Sequence, residues 1–247
     1  MRRALDVATS LGSSVARLGA GLAVGKLGKR PEKLLELYEF EACPFCRKVR
    51  EALSMLDLDA LVRPCPKNGE RFRPTVVARG GKKQFPWLVD PNTGHAMYES
   101  DDIVRYLYEQ YGDGSPPWHF AQPLVMATLV AGTLWRPMKG AWARPSRAPE
   151  QPLELWSFEA SPYCRLVRET LCELELPYLL HNVAKGSPKR EAFVARSGKM
   201  QVPYLFDPNT GRALFESADI VAYLEETYAL PARAGSTVRA ATAGTSS

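Results

Sequence analysis

The sequence predicts an α/β protein built from two tandem copies of one β-α-β-α-β-β-α unit. Three observations carry that prediction. Residues 35–61, LELYEFEACPFCRKVREALSMLDLDAL, align with residues 153–179, LELWSFEASPYCRLVRETLCELELPYL, and 16 of the 29 positions from 35 to 63 are identical. After one gap, residues 82–111 align with 199–228, and 17 of the 26 positions from Pro86 to Tyr111 are identical. Identity this dense over a whole domain length marks duplication of one fold. Within each copy, short strand-like runs alternate with runs whose apolar residues recur three or four apart, the pattern of a layered α/β unit.

The elements follow in order. LELYEF is a short strand, and the turn after it holds two cysteines. A helix comes next, with Val49, Leu53 and Leu56 on one face. Leu58–Val62 reads as the second strand and Arg71–Ala78 as a helix, weakened by Pro74. Pro86–Val89 and Ala96–Tyr98 are strands around the turn DPNTG, whose Asn-Thr-Gly suits a hairpin. Ser100 is expected to cap the last helix, with Asp101 and Asp102 at its positive end and Ile103, Leu107 and Tyr111 as its apolar stripe. Each copy should form a four-stranded mixed sheet with helices on both faces. The expected division is 1–33 as a basic segment, 34–112 as the first copy, 113–152 as an apolar, partly helical connector, 153–230 as the second copy and 231–247 as a disordered tail.

Charge and cysteine content narrow the function classes. The net charge of +5 is concentrated outside the copies: residues 1–33 alone carry +5, whereas 34–112 and 153–230 are −1 and −3. No basic groove for nucleic acid is indicated. A basic tail beside an anionic membrane stays open. Five cysteines without a secretory spacing favour a reducing compartment. In 1–33, Leu5, Ala8, Leu11, Val15, Leu18 and Leu22 form a weak stripe, read as a targeting remnant, a frayed helix or an interfacial helix. Gly114–Trp135 carries no charge. Its prolines argue for a buried helix between the copies before a membrane-dipping segment or a full span.

The chemistry lies in Cys43-Pro44-Phe45-Cys46, which follows a strand and opens a helix. A helix start offers unpaired N–H groups and positive potential that stabilise a thiolate, the attacking species in disulfide exchange. Cys43, at the exposed turn, is the expected nucleophile; Cys46, one turn in and buried, resolves the mixed disulfide. A zinc half-site lacks a second ligand pair nearby, so no metal is expected. An inert pair would explain Cys46, whose counterpart Cys164 persists alone, but not Cys43, whose counterpart is Ser161. Pro86 and Pro203 each precede a strand, which suggests cis peptides after Phe85 and Val202. Cys65 either shares an edge with Cys43 or is an incidental loop cysteine, and Cys172, aligned with Ser54, reads as packing.

Strand–CPFC–helix, then an x-Pro before a strand, then Glu-Ser opening a helix resembles the glutaredoxin branch of the thioredoxin fold. It is more similar still to the N-terminal domain of glutathione transferases. The resemblance spans most of 35–112 and again 153–229, so the fold expected is two tandem thioredoxin-like domains. The tandem arrangement resembles a plant, algal and cyanobacterial group with two such domains and, more distantly, the thioredoxin-like part of type 2 membrane-associated prostaglandin E synthase. The resemblance implies that Cys43 and Cys46 are the redox pair, that Phe85 before Pro86 offers its backbone to the cysteine moiety of glutathione, and that Glu99 and Ser100 hold its γ-glutamyl end. The matching positions of the second copy are Ser161, Cys164, Val202, Pro203, Glu216 and Ser217. Two departures stand out. No all-helical domain follows either copy, and Glu41 puts a carboxylate near the thiol, where it would repel glutathione and raise the thiol pKa, offset by Arg47, Lys48 and Arg50 on what reads as an exposed helix face.

The leading expectation is a thiol–disulfide oxidoreductase of glutaredoxin character. Its first copy would be redox-active with glutathione, its partner a disulfide-bearing protein or small thiol, and its second copy a binding or structural unit. A non-enzymatic docking module at a membrane or complex, attached through 1–33 and 115–135, is one rival. A glutathione-dependent isomerase or transferase is another, and it needs an apolar cleft lined by 115–135. Residues 1–33 and the resemblance together point to a chloroplast location, associated with the thylakoid surface. His181 is the one histidine of the second copy and is expected near the end of the second strand, with an approach to Ser161 left open.

Overall fold

The structure is a computed structural model, and it describes residues 2–15, 19–120 and 138–231. The expected helix within 115–135 falls largely outside the described residues, as does nearly all of the 231–247 tail. The first copy comprises β1 (Leu35–Glu39), α2 (Pro44–Met55), β2 (Ala60–Pro64), α3 (Arg73–Gly80), β3 (Trp87–Asp90), β4 (His95–Met97) and α4 (Ser100–Tyr111), preceded by α1 (Arg2–Val15). The second comprises β5 (Leu153–Ser157), α5 (Pro162–Glu173), β6 (Tyr178–Asn182), α6 (Arg190–Ser197), β7 (Tyr204–Asp207), β8 (Arg212–Phe215) and α7 (Ser217–Tyr228). The order β-α-β-α-β-β-α thus appears twice, as the sequence predicts.

Some bounds move. β2 starts two residues later than expected because Leu58 and Asp59 still belong to the connection after α2, which turns at Asp57 (φ +54°). The third helix begins at Arg73, and Pro74 stands in its first turn, where a missing N–H costs no helix bond. Ser100 makes no side-chain cap, and neither does its counterpart Ser217. The N-cap positions are Glu99 (φ +64°) and Glu216 (φ +62°).

The two sheets are one. The strand order is β4-β3-β1-β2-β6-β5-β7-β8. Within each copy the first two strands run parallel and the rest antiparallel. The join is β2 against β6, antiparallel, with Leu61 opposite Leu179. These two residues are equivalents in the repeat, so the junction is isologous and a pseudo-twofold axis passes through it. Each copy thereby covers the edge strand that the other would leave open. On one face α2 and α4, and α5 and α7, close two apolar cores around Leu35, Leu37, Val49 and Leu53, and around Leu153, Leu155, Val167 and Leu171. On the other face α3 and α6 cover smaller aromatic clusters around Trp87 and Trp156.

The repeat extends further upstream than the identities show. Segment 21–24 reaches across to the second copy, where Val24 N–H donates to Lys185 O and Lys185 N–H to Leu22 O, both at 2.9 Å. Segment 140–143 does the same to the first copy: Lys67 N–H donates to Ala141 O at 2.7 Å and Ala143 N–H to Lys67 O at 2.9 Å. The arms are therefore exchanged. Gly21 (φ +80°) and Gly140 (φ +70°) permit it, since a Cβ there would lie 2.9 Å from Glu159 Cβ and 2.7 Å from Glu41 Cβ. Segment 19–33 is thus an integral arm and not a loose tail. α1 packs on α5, with Ser10 Oγ donating to Pro162 O at 2.9 Å. No helix among the described residues is long and apolar enough to cross a membrane.

The DPNTG turn does more than close a hairpin. Asp90 Oδ2 accepts from Tyr106 (2.6 Å) and Tyr111 (2.5 Å), and its Oδ1 accepts from Asn92 N–H and Nδ2, both at 2.8 Å. Asp207 repeats this with Tyr223, Tyr228 and Asn209. The buried carboxylate fastens the hairpin to the last helix, and these bonds hold its pKa below the ordinary value against burial.

Candidate active site

Cys43 is the N-cap of α2, in extended conformation, and its Sγ accepts the backbone N–H of Cys46 at 3.4 Å. The hydrogen bond with Cys46 lowers the Cys43 thiol from its ordinary value, and the N–H groups of Cys46 and Phe45 add to this against burial and the charge of Glu39. Burial pushes the Cys46 thiol well up, with Cys43 and Glu39 adding to it. The two sulfurs are thus electrostatically unlike, and both are free thiols. The turn is not exposed as expected: Cys43 is 5% accessible. Arg50 Nη2 donates to Glu41 O at 3.3 Å, and Glu41 N–H donates to Cys172 Sγ at 3.3 Å, which draws the turn into the junction.

The helix face that read as solvated is the centre of the molecule. Arg47, Lys48 and Arg50 are buried. Arg50 bonds Glu39 and meets Glu41 at 3.2 Å and Glu159 at 3.0 Å. Arg168 meets Glu41 at 3.1 Å and Glu159 at 2.8 Å, and donates to Ser157 Oγ at 3.3 Å. Glu41 is therefore turned to the arginines of both copies, not to a ligand, and the expected repulsion of glutathione does not arise from it. Burial opposes ionisation of Glu159, but Arg168, Arg50, Arg165 and Arg47 outweigh it and hold that carboxyl at about 2. At Glu39 burial wins over Arg50, and Glu41 and Glu159 add to it, so the carboxyl is pushed up to about 7. Sequence reasoning missed this layer. Its available signal was the Val-Arg-Glu run at 49–51, repeated at 167–169 in the middle of an apolar helix pattern.

The remaining first-copy residues gather around the α2 start and the α4 start. The Phe85–Pro86 peptide is cis, as is Val202–Pro203. The Arg73 guanidinium lies 4.6 Å from the centre of the Phe85 ring and donates to Cys65 O at 2.8 Å, which places a cation beside the turn that the sequence reading did not single out. Glu99 Oε1 accepts from Gln84 Nε2 at 2.5 Å, and Gln201 bonds Glu216 in the same way. Ser100 is buried below Glu99, and Lys48 pairs with Asp101. Cys65 does not join the site: it packs with Tyr38, Val76 and Trp87 under α3, on the other face of the sheet. Among the described residues there is no group that could hold a metal ion.

In the second copy Ser161 is the N-cap of α5, and its Oγ accepts Cys164 N–H at 3.3 Å, the same geometry without the sulfur. Ser217 Oγ is buried with no hydrogen-bond partner among the described residues. His181 does not serve Ser161. It stacks on Trp156, with ring centroids 4.3 Å apart, and bonds Asp59 at 3.3 Å. Cys172 packs at the junction and donates to Gly140 O at 3.2 Å. A cavity of about 460 Å³ opens beside Ser161, with walls from Leu11, Leu22, Phe158, Tyr163 and Val202. Among the described residues, α1 and the first arm supply apolar wall to this cavity, whereas the 115–135 segment expected to line such a cleft lies largely outside the described residues.

Comparison with known proteins identifies the domain family. The sequence model of the glutathione S-transferase N-terminal domain matches twice, over residues 37–117 and 155–232. The glutathione S-transferase-like protein gedE of Aspergillus terreus is 34% identical over 77 residues, covering 31% of this chain and 34% of that protein. The chain therefore spans about a third of the length of that relative. Among solved structures, the Bombyx mori glutathione transferase BmGSTD1 is 28% identical over 34% of this chain and 38% of its own, with a TM-score of 0.31. Leishmania TDR1, a trimeric glutathione transferase, is 14% identical over 81% of this chain and 68% of its own, with a TM-score of 0.29. The two matched segments make up more than half of the residues, and the chain belongs to the glutathione S-transferase N-terminal domain family, whose thioredoxin-like unit it carries as a fused pair.

Proposed function

We propose that the protein is a thiol–disulfide oxidoreductase of glutaredoxin character, with Cys43 and Cys46 as its dithiol and glutathione as its thiol co-substrate. The observation that carries this reading is the asymmetry of the pair: one sulfur favoured as thiolate at a helix N-cap, the other kept protonated within reach. Cys43 thiolate attacks a substrate disulfide, forms a mixed disulfide and releases one substrate thiolate. Cys46 loses its proton and attacks Cys43 sulfur, which closes the intramolecular disulfide and releases the second thiolate. Two molecules of glutathione thiol then reduce the protein and leave as glutathione disulfide. Phe85, Pro86, Glu99 and Ser100 are the residues assigned to glutathione, with Arg73 as an added cation near the turn. The second copy is assigned a binding or structural role.

The test is reduction of a small mixed disulfide with glutathione, followed through the glutathione disulfide produced. Turnover that disappears in Cys43→Ser supports the reading. A rate equal in wild type and Cys43→Ser contradicts it and favours a docking module. The cavity beside Ser161 supports a second reading, in which the second copy positions glutathione against an apolar substrate. Glutathione conjugation that survives Cys43→Ser but is lost in Val202→Asp would favour it.

A further inference from the structure

The turn that leads into the dithiol is held from the other copy. Phe40 O accepts Cys43 N–H at 3.0 Å, which closes a β-turn with Glu41 and Ala42 at its centre and Cys43 as its last residue. Every polar group of Glu41 is then taken. Its carboxylate meets Arg168 and Arg50, its carbonyl accepts from Arg50, and its N–H donates to Cys172 Sγ at 3.3 Å. The Cys172 thiol in turn donates to Gly140 O at 3.2 Å. Gly140 itself lies so close to the turn that a Cβ on it would stand 2.7 Å from Glu41 Cβ. Cys172 therefore joins three segments: α5, the arm 140–143 and the turn that ends in Cys43. Burial pushes its thiol well up from the ordinary value, so it keeps a hydrogen to give and lone pairs to accept.

The second copy shows that this role is polar. Its turn is closed by Ser161 N–H on Phe158 O at 3.3 Å, with Glu159 in the place of Glu41. The equivalent of Cys172 is Ser54, on α2. Its Oγ accepts Glu159 N–H at 3.1 Å and donates to Gly21 O at 3.3 Å, the arm carbonyl that corresponds to Gly140 O. A position that only filled space would not carry a hydroxyl in one copy and a thiol in the other with the same two partners. The difference between them is local. Asn182 Oδ1 shares the Ser54 hydrogen at 3.1 Å, whereas the first-copy equivalent of Asn182 is Pro64, opposite Glu39, which has no polar side chain. We infer that Cys172 is a positioning residue for the dithiol: from the second copy it fixes the turn that sets Cys43 as the cap of α2. The inference rests on the thiol–disulfide reading above and gives the second copy a definite part in it. Without an acceptor at position 172, the buried Glu41 N–H loses its partner and the turn must shift to find another. Cys43 Sγ accepts Cys46 N–H at 3.4 Å, and a shifted turn withdraws the sulfur from the donors that favour its thiolate.

The test is the pH profile of Cys43 alkylation by iodoacetamide in the full chain, read from the mass of the labelled peptide, with the urea midpoint measured beside it. In Cys172→Ala the rate at pH 7 is expected to fall at least threefold, with the midpoint of the profile moved upward. Cys172→Ser keeps a donor and an acceptor and is expected to stay within twofold of wild type. Ser54→Ala removes the corresponding hold on the Ser161 turn. It is expected to lower the urea midpoint as Cys172→Ala does, yet to leave the Cys43 profile in place, and that contrast separates positioning from general loosening. Should Cys172→Ala not fold, Cys172→Thr and Cys172→Val replace it as a pair of near-equal shape, and the loss is expected in Cys172→Val alone. An unmoved Cys43 profile in Cys172→Ala, an equal loss in Cys172→Ser, or an equal shift in Ser54→Ala overturns the assignment of Cys172. A wild-type chain in which Cys43 is alkylated no faster than Cys46 overturns the thiol–disulfide reading itself, and this inference with it.

Discussion

The two copies share their strands, their helices, their cis prolines and even their strained glutamates, Glu99 and Glu216, yet they differ at the places where chemistry would occur. In the first copy the helix cap is a thiol, the strand below it carries a carboxylate, and Lys48 pairs with Asp101. In the second the cap is a hydroxyl, the strand carries Ser157, and Leu166 and Ala218 replace the ion pair. The junction between them repeats its central strand pairing and its buried arginines on both sides, while Glu39 and Ser157, and Ser54 and Cys172, are unlike equivalents. Duplication supplied a partner for an open sheet edge and for a buried arginine, and the site residues then diverged within a frame that neither copy forms alone.

The largest effect that would sharpen this comparison is on activity. Cys43→Ser should abolish disulfide reduction, while Cys164→Ala should leave the rate within about twofold, since a buried small residue is all that the second copy needs there. Initial rates with glutathione decide it. Next comes stability. Arg50→Ala leaves buried Glu39 without its ion-pair partner, at a cost of about 3–5 kcal/mol. Arg168→Ala should be the milder of the two, because Glu41 and Glu159 keep Arg50. Urea midpoints of the two variants check the order. Smaller again is Gly140→Ala, which combines a left-handed backbone with a Cβ 2.7 Å from that of Glu41. It should cost more than Gly94→Ala, which shares the positive φ but meets no atom within 4 Å and should lose only about 1 kcal/mol.

The copies also predict opposite pH behaviour for two glutamates. Glu159 is held at about 2, so its contribution is present above the ordinary carboxyl range and is lost as pH falls from about 4.5 through 2. Glu39 is raised to about 7, so its folded form favours the proton; stability is fullest below the ordinary carboxyl pKa and declines as pH rises through 7. Glu39→Ser, which installs the residue of the second copy, should flatten the decline in urea midpoint between pH 5 and 7.5. An undiminished decline in that variant would place its origin elsewhere.

Much of the frame was legible because duplication wrote it twice. The strand and helix order followed from period and turn signals, and the cysteine pair stood out against its counterpart Ser161. What could not be read was anything that depends on how the copies meet. Arg47 and Arg50 look like surface residues on a helical wheel, and only the pairing of Leu61 with Leu179 buries them. The exchange of the arms was hidden because Gly21 and Gly140 lie in segments with little residual identity. DPNTG suggested a turn correctly, but the role of Asp90 needed Tyr106 and Tyr111 to be known as hydroxyl donors, whereas in the sequence Tyr111 had been counted in an apolar stripe. Ser100 and Ser217 look like caps by residue type, and the positive φ of the preceding glutamates is what gives the N-cap position to Glu99 and Glu216.

The central claim is that one copy carries a working dithiol and the other does not, and a redox titration of the full chain with mass labelling of free thiols tests it most directly. The account predicts a single two-electron transition in which Cys43 and Cys46 lose their label together while Cys65, Cys164 and Cys172 keep theirs at every potential. A chain in which Cys43 and Cys46 remain labelled under all oxidising conditions, or in which Cys164 or Cys172 takes part in the transition, would contradict it.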